Sequence, residues 1–545
     1  MNHTAHRLAF LPGEPLIHQA VTAYQNILAD YQRGHLDAAH FRVARIQMGI
    51  HLQRSPSTRY MVRVKTPYGL LAAEQLRTLA QWASPSLADL HITTRQAIEL
   101  HDVLPDHTAE LLEQLSAVGL TTRDAGGNSV RNVVGCPLLG TCPWQPFDAV
   151  PTTRCLVRTF LGSAATEALP RKIKIAVSGC SRDCAATRLQ DIGAVATRHH
   201  GVPGFRVYVG GGIGATPNVG FPLAAFVPES ALVPFIETIV TLFHHWGPRP
   251  QRHRARLKWL VAEKGEEGFR QMVQASYDAA SHPPVDWFRD TPSPVPPRPF
   301  PPRALPPWAE GLGMDPVWAQ RRLWPEQEGR WAVALTWPGG SLTPPQARLA
   351  AEWADLYGNG LLSTTTTQQL VIHGVSAAQG PALIASLHTA APRQFQTTTV
   401  ISCPGAPYCN LAITRSGSLA RMVADTLADE AARSEGTRLA PSTVRICGCP
   451  HSCTHVRFAD VGLMGGAARL GRTMIPVYRL WLGGSEDQET PHKGVTTVRI
   501  PARRVPEAVR RLCRAYADGA REGESFGEWA RRQFLPANDE GGIDA

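Results

Sequence analysis

Two stretches far apart in the chain share one rhythm of apolar and polar positions. Residues 59–103 (RYMVRVKTPYGLLAAEQLRTLAQWASPSLADLHITTRQAIELHDV) open on an alternating run that predicts a strand, with Met61, Arg63 and Lys65 on one face. A turn follows, then an amphipathic helix in which Ala72, Leu76, Leu79, Ala80 and Ala83 form one stripe, then a second strand. Residues 330–375 (RWAVALTWPGGSLTPPQARLAAEWADLYGNGLLSTTTTQQLVIHGV) repeat the series, Gly340 answering Gly69 and His373 answering His101. The register continues downstream at a near-constant offset of about 270 residues. Cys136 and Cys142 match Cys403 and Cys409, Cys180 and Cys184 match Cys449 and Cys453, and YVGGG at Tyr208–Gly212 matches WLGGS at Trp481–Ser485. Chance does not hold one offset over so many blocks, so the chain is a duplicated unit.

The same pattern sets the expected organisation. Residues 1–50 read as a helical arm, 51–120 as the first strand–helix–strand module and 121–282 as a larger α/β region. Residues 283–307 are Pro-rich and should form an extended tether, because Pro fixes φ and removes a donor. Residues 308–390 and 391–535 repeat module and larger region, and 536–545 read as a frayed tail.

Composition narrows the chemistry. No run approaches the roughly 18–20 apolar residues of a membrane helix, and MNHTAHRLAFLPGEP lacks a charged start followed by an apolar stretch. A cytoplasmic setting is expected. The 11 cysteines fall mostly in short paired spacings, which points to metal or cluster ligation rather than disulfides. A net charge of +10 implies an anionic ligand or an acidic partner. Lys and Arg are scattered and no recognition motif is present, so nucleic acid is not the expected partner.

Cys403-PGAPY-Cys409 and Cys449-PHS-Cys453 supply four thiolates, soft donors suited to a [4Fe–4S] cluster or tetrahedral zinc. The five-residue spacer is long for a zinc knuckle. Pro404, Gly405, Gly448 and Pro450 suit backbone bent around a cluster. With these motifs in place, TTRQ, RNVVGCPLLG, LPRKIKIAVSGC, CPGAPYCNLA and GCPHSCTHVRFADVG resemble the nitrite and sulfite reductase family, over roughly residues 47 to 530. The resemblance implies an α+β fold, internally duplicated, with two ferredoxin-like half-domains and two larger α/β sirohaem- and cluster-binding units related by pseudo-two-fold symmetry. It also implies Cys403, Cys409, Cys449 and Cys453 as [4Fe–4S] ligands, Cys453 bridging to the iron of sirohaem. His451 stands where the family commonly has Asn, whose amide helps hold sirohaem; a histidine can donate there too, with a charge that varies near neutral pH. Cys447 reads as a buried strand residue rather than a competing ligand.

Sirohaem carboxylates and a small oxyanion both call for cations. The two halves differ in this respect. Arg63 and Lys65 answer Ala334 and Thr336, Arg95 answers Thr367, Arg131 answers Thr398, Lys172 answers Pro441 and Lys174 answers Thr443. By resemblance, Arg63, Arg131, Lys172 and Lys174 surround the substrate on the distal sirohaem face, while Thr93, Arg95 and Arg171 contact sirohaem carboxylates. Such cations stabilise a bound anion and the charge that develops as electrons arrive, and with ordered water they can relay protons. The expected arrangement has the second half anchoring the cluster, the first enclosing the substrate and sirohaem between them.

Several features read as decoys. Cys136, Cys142, Cys180 and Cys184 repeat the ligand spacings, but the family houses one cluster in the second half, so they read as a remnant of duplication. Gly210–Ala215 fits a loose G-x-G-x-x-A pattern, yet no helix follows and the repeat partner lacks it; a turn bringing backbone close to sirohaem is the better reading. His101 and His373 read as structural, and Cys155 and Cys513 as packing residues. With no nucleotide domain in view, electrons should come from a separate protein, for which an acidic ferredoxin suits the basic chain. The expected reaction is the six-electron reduction of sulfite to sulfide. Against nitrite, the choice rests on Lys174, where plant-type nitrite reductases tend to place Asn and sulfite reductases Lys. Reduction of nitrite to ammonia is the alternative. A precorrin-3B synthase-like iron–sulfur enzyme and a simple electron carrier are more remote, because neither needs the whole cation set.

Overall fold

The alternating runs form strands, and these lie in two five-stranded sheets of the same build. The computed structural model describes residues 7–83, 89–163, 166, 168–281, 305–309, 312, 314–406, 408–433, 441–486 and 491–535. Most of the tether expected at 283–307, and the tail at 536–545, lie outside the described residues. The first sheet orders strands Ile50–Leu52, Tyr60–Val64, Ile98–Val103, Leu90–Ile92 and Ser341–Leu342. The second orders Leu323–Pro325, Trp331–Thr336, Gln369–Val375, Leu361–Thr364 and Leu70–Ala72. The last strand of each comes from the other copy of the repeat. Leu70–Ala72 runs antiparallel to the second copy, Leu362 opposite Leu71 and Ser363 opposite Leu70. Gln96 seals this seam by donating to the carbonyls of Gly135 (3.0 Å) and Thr364 (2.6 Å). Exchanged strands cover edges that would otherwise template foreign pairing.

Leu76, Leu79 and Ala80 of the expected stripe lie, with Ala73, on the buried side of helix Ala73–Trp82, whereas Ala72 falls half-buried in the preceding strand and Ala83 just past the helix. That helix packs on its repeat partner, Pro344–Tyr357. The partner starts at a capping box, Thr343 accepting from the Gln346 amide while the Gln346 side chain accepts from the Thr343 amide, so two orphan donors are satisfied together.

The larger regions also match. One sheet runs Val134–Gly135, Ile175–Ser178, Ile192–His199, Val202–Val209, Phe221–Pro228; the other runs Thr399–Ser402, Thr443–Cys447, Val461–Leu470, Thr473–Leu482, Val495–Pro501. In both, the first two pairings are parallel and the last two antiparallel. Helices Val150–Phe160 and Leu232–Trp246 bury an apolar face on the former, Ser416–Arg433 and Val505–Gly519 on the latter. The fold is mixed α+β. It comprises two compact units: one holds Met1–Gly212, Pro217–Leu335 and Leu342–Pro392, the other Ile213–Thr216, Thr336–Ser341 and Arg393–Ala545. Among the described residues no helix is long and apolar enough to cross a membrane.

His101 and His373 lie within equivalent strands, two residues before their ends, and both are buried. Around His373 the polar groups are fully engaged: Nδ1 lies 2.7 Å from Glu326 Oε1, Nε2 lies 2.8 Å from Ser363 Oγ, and the Gly374 amide donates to Glu326 Oε2 at 2.7 Å. Burial alone would raise the Glu326 carboxyl, but the imidazole and the amide outweigh it and hold it below its ordinary value. Glu326→Ala would strand both donors in the core. The expected cost is about 2–4 kcal/mol, visible as a lower urea midpoint at unchanged slope; an unmoved midpoint would show the network to be idle.

Candidate active site

Parallel strands Thr399–Ser402 and Thr443–Cys447 end side by side, Ser402 opposite Ile446, and their carboxyl ends carry the second-half cysteines. The Cys403 amide continues the ladder to Ile446 O at 3.2 Å, and the Gly448 amide turns back to donate to Cys403 Sγ at 3.2 Å. Ser416 Oγ lies 3.2 Å from the same sulfur. Cys409 is fixed by its amide to Gly405 O at 2.9 Å. Gly405 holds φ +66° and presses on Ser416, so no side chain fits there. Between Cys449 and Cys453, Ser452 sits in the left-handed region, followed by His455, which shapes the short loop. Cys449 is buried and Cys453 exposed.

These sulfurs form one electrostatic group. The Cys409 thiol is raised to about 11 by burial, with Cys403, Cys453 and Cys449 adding to the rise. Cys449 is brought down to about 5, first by a hydrogen bond from Cys447, and the same donor lowers Cys403. Cys447 itself is driven far up by its bonds to Cys403, Cys449 and Cys453. Its sulfur accepts the Cys453 amide at 3.2 Å. Among the described residues no three ligand side chains close on one point as a single ion requires. A [4Fe–4S] cluster asks for something different, one thiolate per iron corner, and amide N–H···S bonds tune such a centre. The residues present fit it. His451 is exposed, with Nδ1 3.5 Å from Cys449 Sγ.

The cation set lies in the other unit. Arg63 is paired to Glu99 Oε1 through Nε (3.0 Å) and Nη2 (2.8 Å), and its Nη1 donates to Ala125 O at 2.9 Å. Arg131 donates to the carbonyls of Ala125 and Gly127, the latter at 2.7 Å. Arg95 stands on the turn Thr93–Gln96, its amide donating to Thr93 Oγ1 at 3.2 Å and its guanidinium to Gln190 Oε1 (3.0 Å) and Asn132 O (2.7 Å). Arg171 lies 3.4 Å from Asn128 Oδ1. Lys172 and Lys174 flank buried Ile173, and the Lys174 amide donates to Asp191 Oδ2 at 2.8 Å.

The set is crowded with like charge. Burial, then Arg63, Arg95 and Arg171, pushes Arg131 far below its ordinary value. Burial brings Arg95 to about 9, against the pull of Asp191. Burial, Arg95, Arg256 and Lys172 lower Lys174 far more than Asp191 can restore. A bound anion relieves this crowding, which is what an oxyanion pocket needs. Free Lys174 therefore sheds its proton below the ordinary lysine range, and an anion returns it. Nitrite binding should take up protons and weaken as pH climbs through the Lys174 range toward that of an ordinary lysine. Calorimetry in buffers of different ionisation enthalpy checks this; no uptake anywhere between about pH 6 and 10 would rule it out.

Sequence reasoning missed the supports. Glu99 lies opposite Arg63 in the strand register; an acid alternating with Ile98 and Leu100 on a strand predicted to pair with the Arg63 strand was a usable signal. Asp191, fully buried, takes the amide of Lys174 and the guanidinium of Arg256 at 2.6 Å. Its repeat counterpart Asp460 takes the amides of Ser442 and Thr443, so the duplicated QDIG and ADVG strings were readable as a shared loop clamp. The glycine turn is at hand as well: Arg457 Nη1 donates to Gly214 O (3.1 Å) and Ala215 O (2.9 Å).

Duplicated sheets, cysteines carried at the ends of adjoining parallel strands and a crowded cation set are the features of an iron–sulfur oxidoreductase. Residues 51–118 and 325–390 match the nitrite/sulfite reductase ferredoxin-like half domain, and residues 126–280 the nitrite and sulphite reductase 4Fe-4S domain. The chain belongs to the nitrite and sulfite reductase family, whose sirohaem and [4Fe–4S] cluster are its cofactors. It is 30% identical over 89% of its length to the assimilatory ferredoxin-dependent nitrite reductase of Haloferax mediterranei, covering 84% of that protein. It is 31% identical over 85% of its length to the ferredoxin–nitrite reductase of Synechococcus elongatus, covering 88% of it. A ferredoxin sulfite reductase of Mycolicibacterium paratuberculosis is 27% identical over 87% of this chain and 82% of its own. The solved structure of the Mycobacterium tuberculosis NirA protein shares the fold, with TM-score 0.77, 24% identity, and coverage of 94% of this chain and 96% of that one.

Proposed function

We propose that this chain reduces sulfite to sulfide with six electrons drawn from a separate, acidic ferredoxin. The observation that carries the choice of substrate is Lys174, a lysine crowded by Arg95, Arg256 and Lys172. A pyramidal oxyanion with three oxygens rewards that extra positive charge more than bent nitrite does. Cys403, Cys409, Cys449 and Cys453 would hold the cluster, and Cys453 would also help hold sirohaem. Thr93, Arg95 and Arg171 would take sirohaem carboxylates, and His451 would donate to the cofactor in place of the amide common in the family. When bound, the cofactors would supply the electrons one at a time. Arg63 and Arg131 receive the anion with guanidinium forks aimed by Glu99 and by the carbonyls of Ala125 and Gly127. Lys172 and Lys174 hold the protons that leave with oxygen as water. The net charge of +10 suits an acidic donor and steers its approach, and the relatives named above are ferredoxin-dependent. No disulfide joins the described cysteines, which suits a reducing cytoplasm.

Nitrite is the second reading, favoured by the two relatives at 30% and 31% identity. Steady-state turnover with reduced ferredoxin decides: kcat/KM should be higher for sulfite. Lys174→Asn should shift the sulfite-to-nitrite ratio toward nitrite by on the order of tenfold. If the unaltered enzyme prefers nitrite, the second reading stands; if the ratio stays put in the variant, Lys174 does not set the choice.

A further inference from the structure

The first-half cysteines repeat more than the ligand spacing. The Cys136 amide donates to Val177 O at 3.2 Å, as Cys403 does to Ile446 O at 3.2 Å. The Cys142 amide donates to Leu138 O at 2.8 Å, as Cys409 does to Gly405 O at 2.9 Å. Asp183 and Ala186 hold φ of 46° and 49°, matching 52° and 59° at Ser452 and His455. Left-handed backbone at non-glycine residues is strained, and the first half keeps that strain at both positions. The donors to sulfur recur too. Gly179 donates to Cys136 as Gly448 does to Cys403, Trp144 to Cys142 as Leu411 does to Cys409, and Arg182 to Cys180 as His451 does to Cys449. Asp183 steadies its loop by accepting from the Thr187 amide and hydroxyl, and the result is a loop with amides aimed at three sulfurs, which is what a thiolate ligand set needs. Cys142 and Cys180 meet, Cys136 faces Cys180 and Cys184, and Cys184 is exposed as Cys453 is. The Arg182 guanidinium, 4.1 Å from the Trp144 ring centroid, lies beside Cys180 and supplies positive charge to a thiolate set.

We propose that Cys136, Cys142, Cys180 and Cys184 bind a second [4Fe–4S] cluster, held by the first half in the frame the second half uses. Four soft thiolates suit this centre, and Leu138, Trp144, Ala332, Ala334 and Val371, packed with Cys142 and Cys180, shield it from water. The proposal is independent of the substrate reading.

The test is metal and acid-labile sulfide analysis of full-length protein purified without oxygen and reconstituted with iron and sulfide. The expected content is about nine iron and eight sulfide per chain, against about five and four for one cluster with sirohaem. Cys142→Ser/Cys180→Ser should remove about four of each while the isobacteriochlorin absorbance of sirohaem stays. About five iron and four sulfide in the unaltered protein overturns the proposal, with or without one zinc, and so does a double variant that loses neither. If the variant fails to fold, the content of the unaltered chain decides alone. A protein with eight iron but no sirohaem would keep this proposal and sink the reductase reading.

Discussion

Cys453→Ser is expected to cut sulfite and nitrite reduction by at least about a thousandfold while leaving the chain folded. Its side chain is exposed, so replacing sulfur by oxygen leaves no cavity and strands no buried group. Serine is a hard, weakly acidic donor and does not substitute for a thiolate on iron. Loss of cluster absorbance, with an unchanged far-ultraviolet spectrum, identifies the cause. Activity within tenfold of the original would remove Cys453 from the site.

The second large effect lies in the cation set, where magnitudes choose the variant. Arg63→Met alone would leave Glu99 buried and uncompensated. Burial would raise that carboxyl; Arg63 and the rings of His91 and His101 overcome it and bring it to about 2. Removing one partner of such a pair costs about 3–5 kcal/mol, enough to confuse misfolding with lost binding. Arg63→Met/Glu99→Gln removes both charges. It should keep cofactor content and lower kcat/KM for sulfite by on the order of 10²–10³, mostly through KM. Arg63→Lys/Glu99 intact should recover part of the loss, because charge returns without the fork. If the double variant keeps its kcat/KM, Arg63 does not receive the anion.

The sequence showed the duplication because two periodicities and four cysteine spacings keep one offset, and those depend only on local order. The cation set was legible by subtraction, each charge standing opposite a neutral residue in the other copy. What stayed hidden depends on distance in space. Leu70–Ala72 is three apolar residues between a turn and a helix, with no sign that its partner is Leu361–Ser363. Glu99 is buried only because Arg63 lies across the register. The first-half cysteines read as relics because the family pattern places one cluster in the second half; the strained φ values and the amide donors to sulfur, on which the proposed second cluster rests, belong to backbone geometry, which no string of letters displays.

The exchanged strand also bears on inheritance. Once Leu70–Ala72 completes the sheet of the later copy, neither copy can be deleted or separately expressed without baring a raw sheet margin. Descendants of the ancestral doubling event can specialise each copy freely at its loops, but they stay fused in one polypeptide.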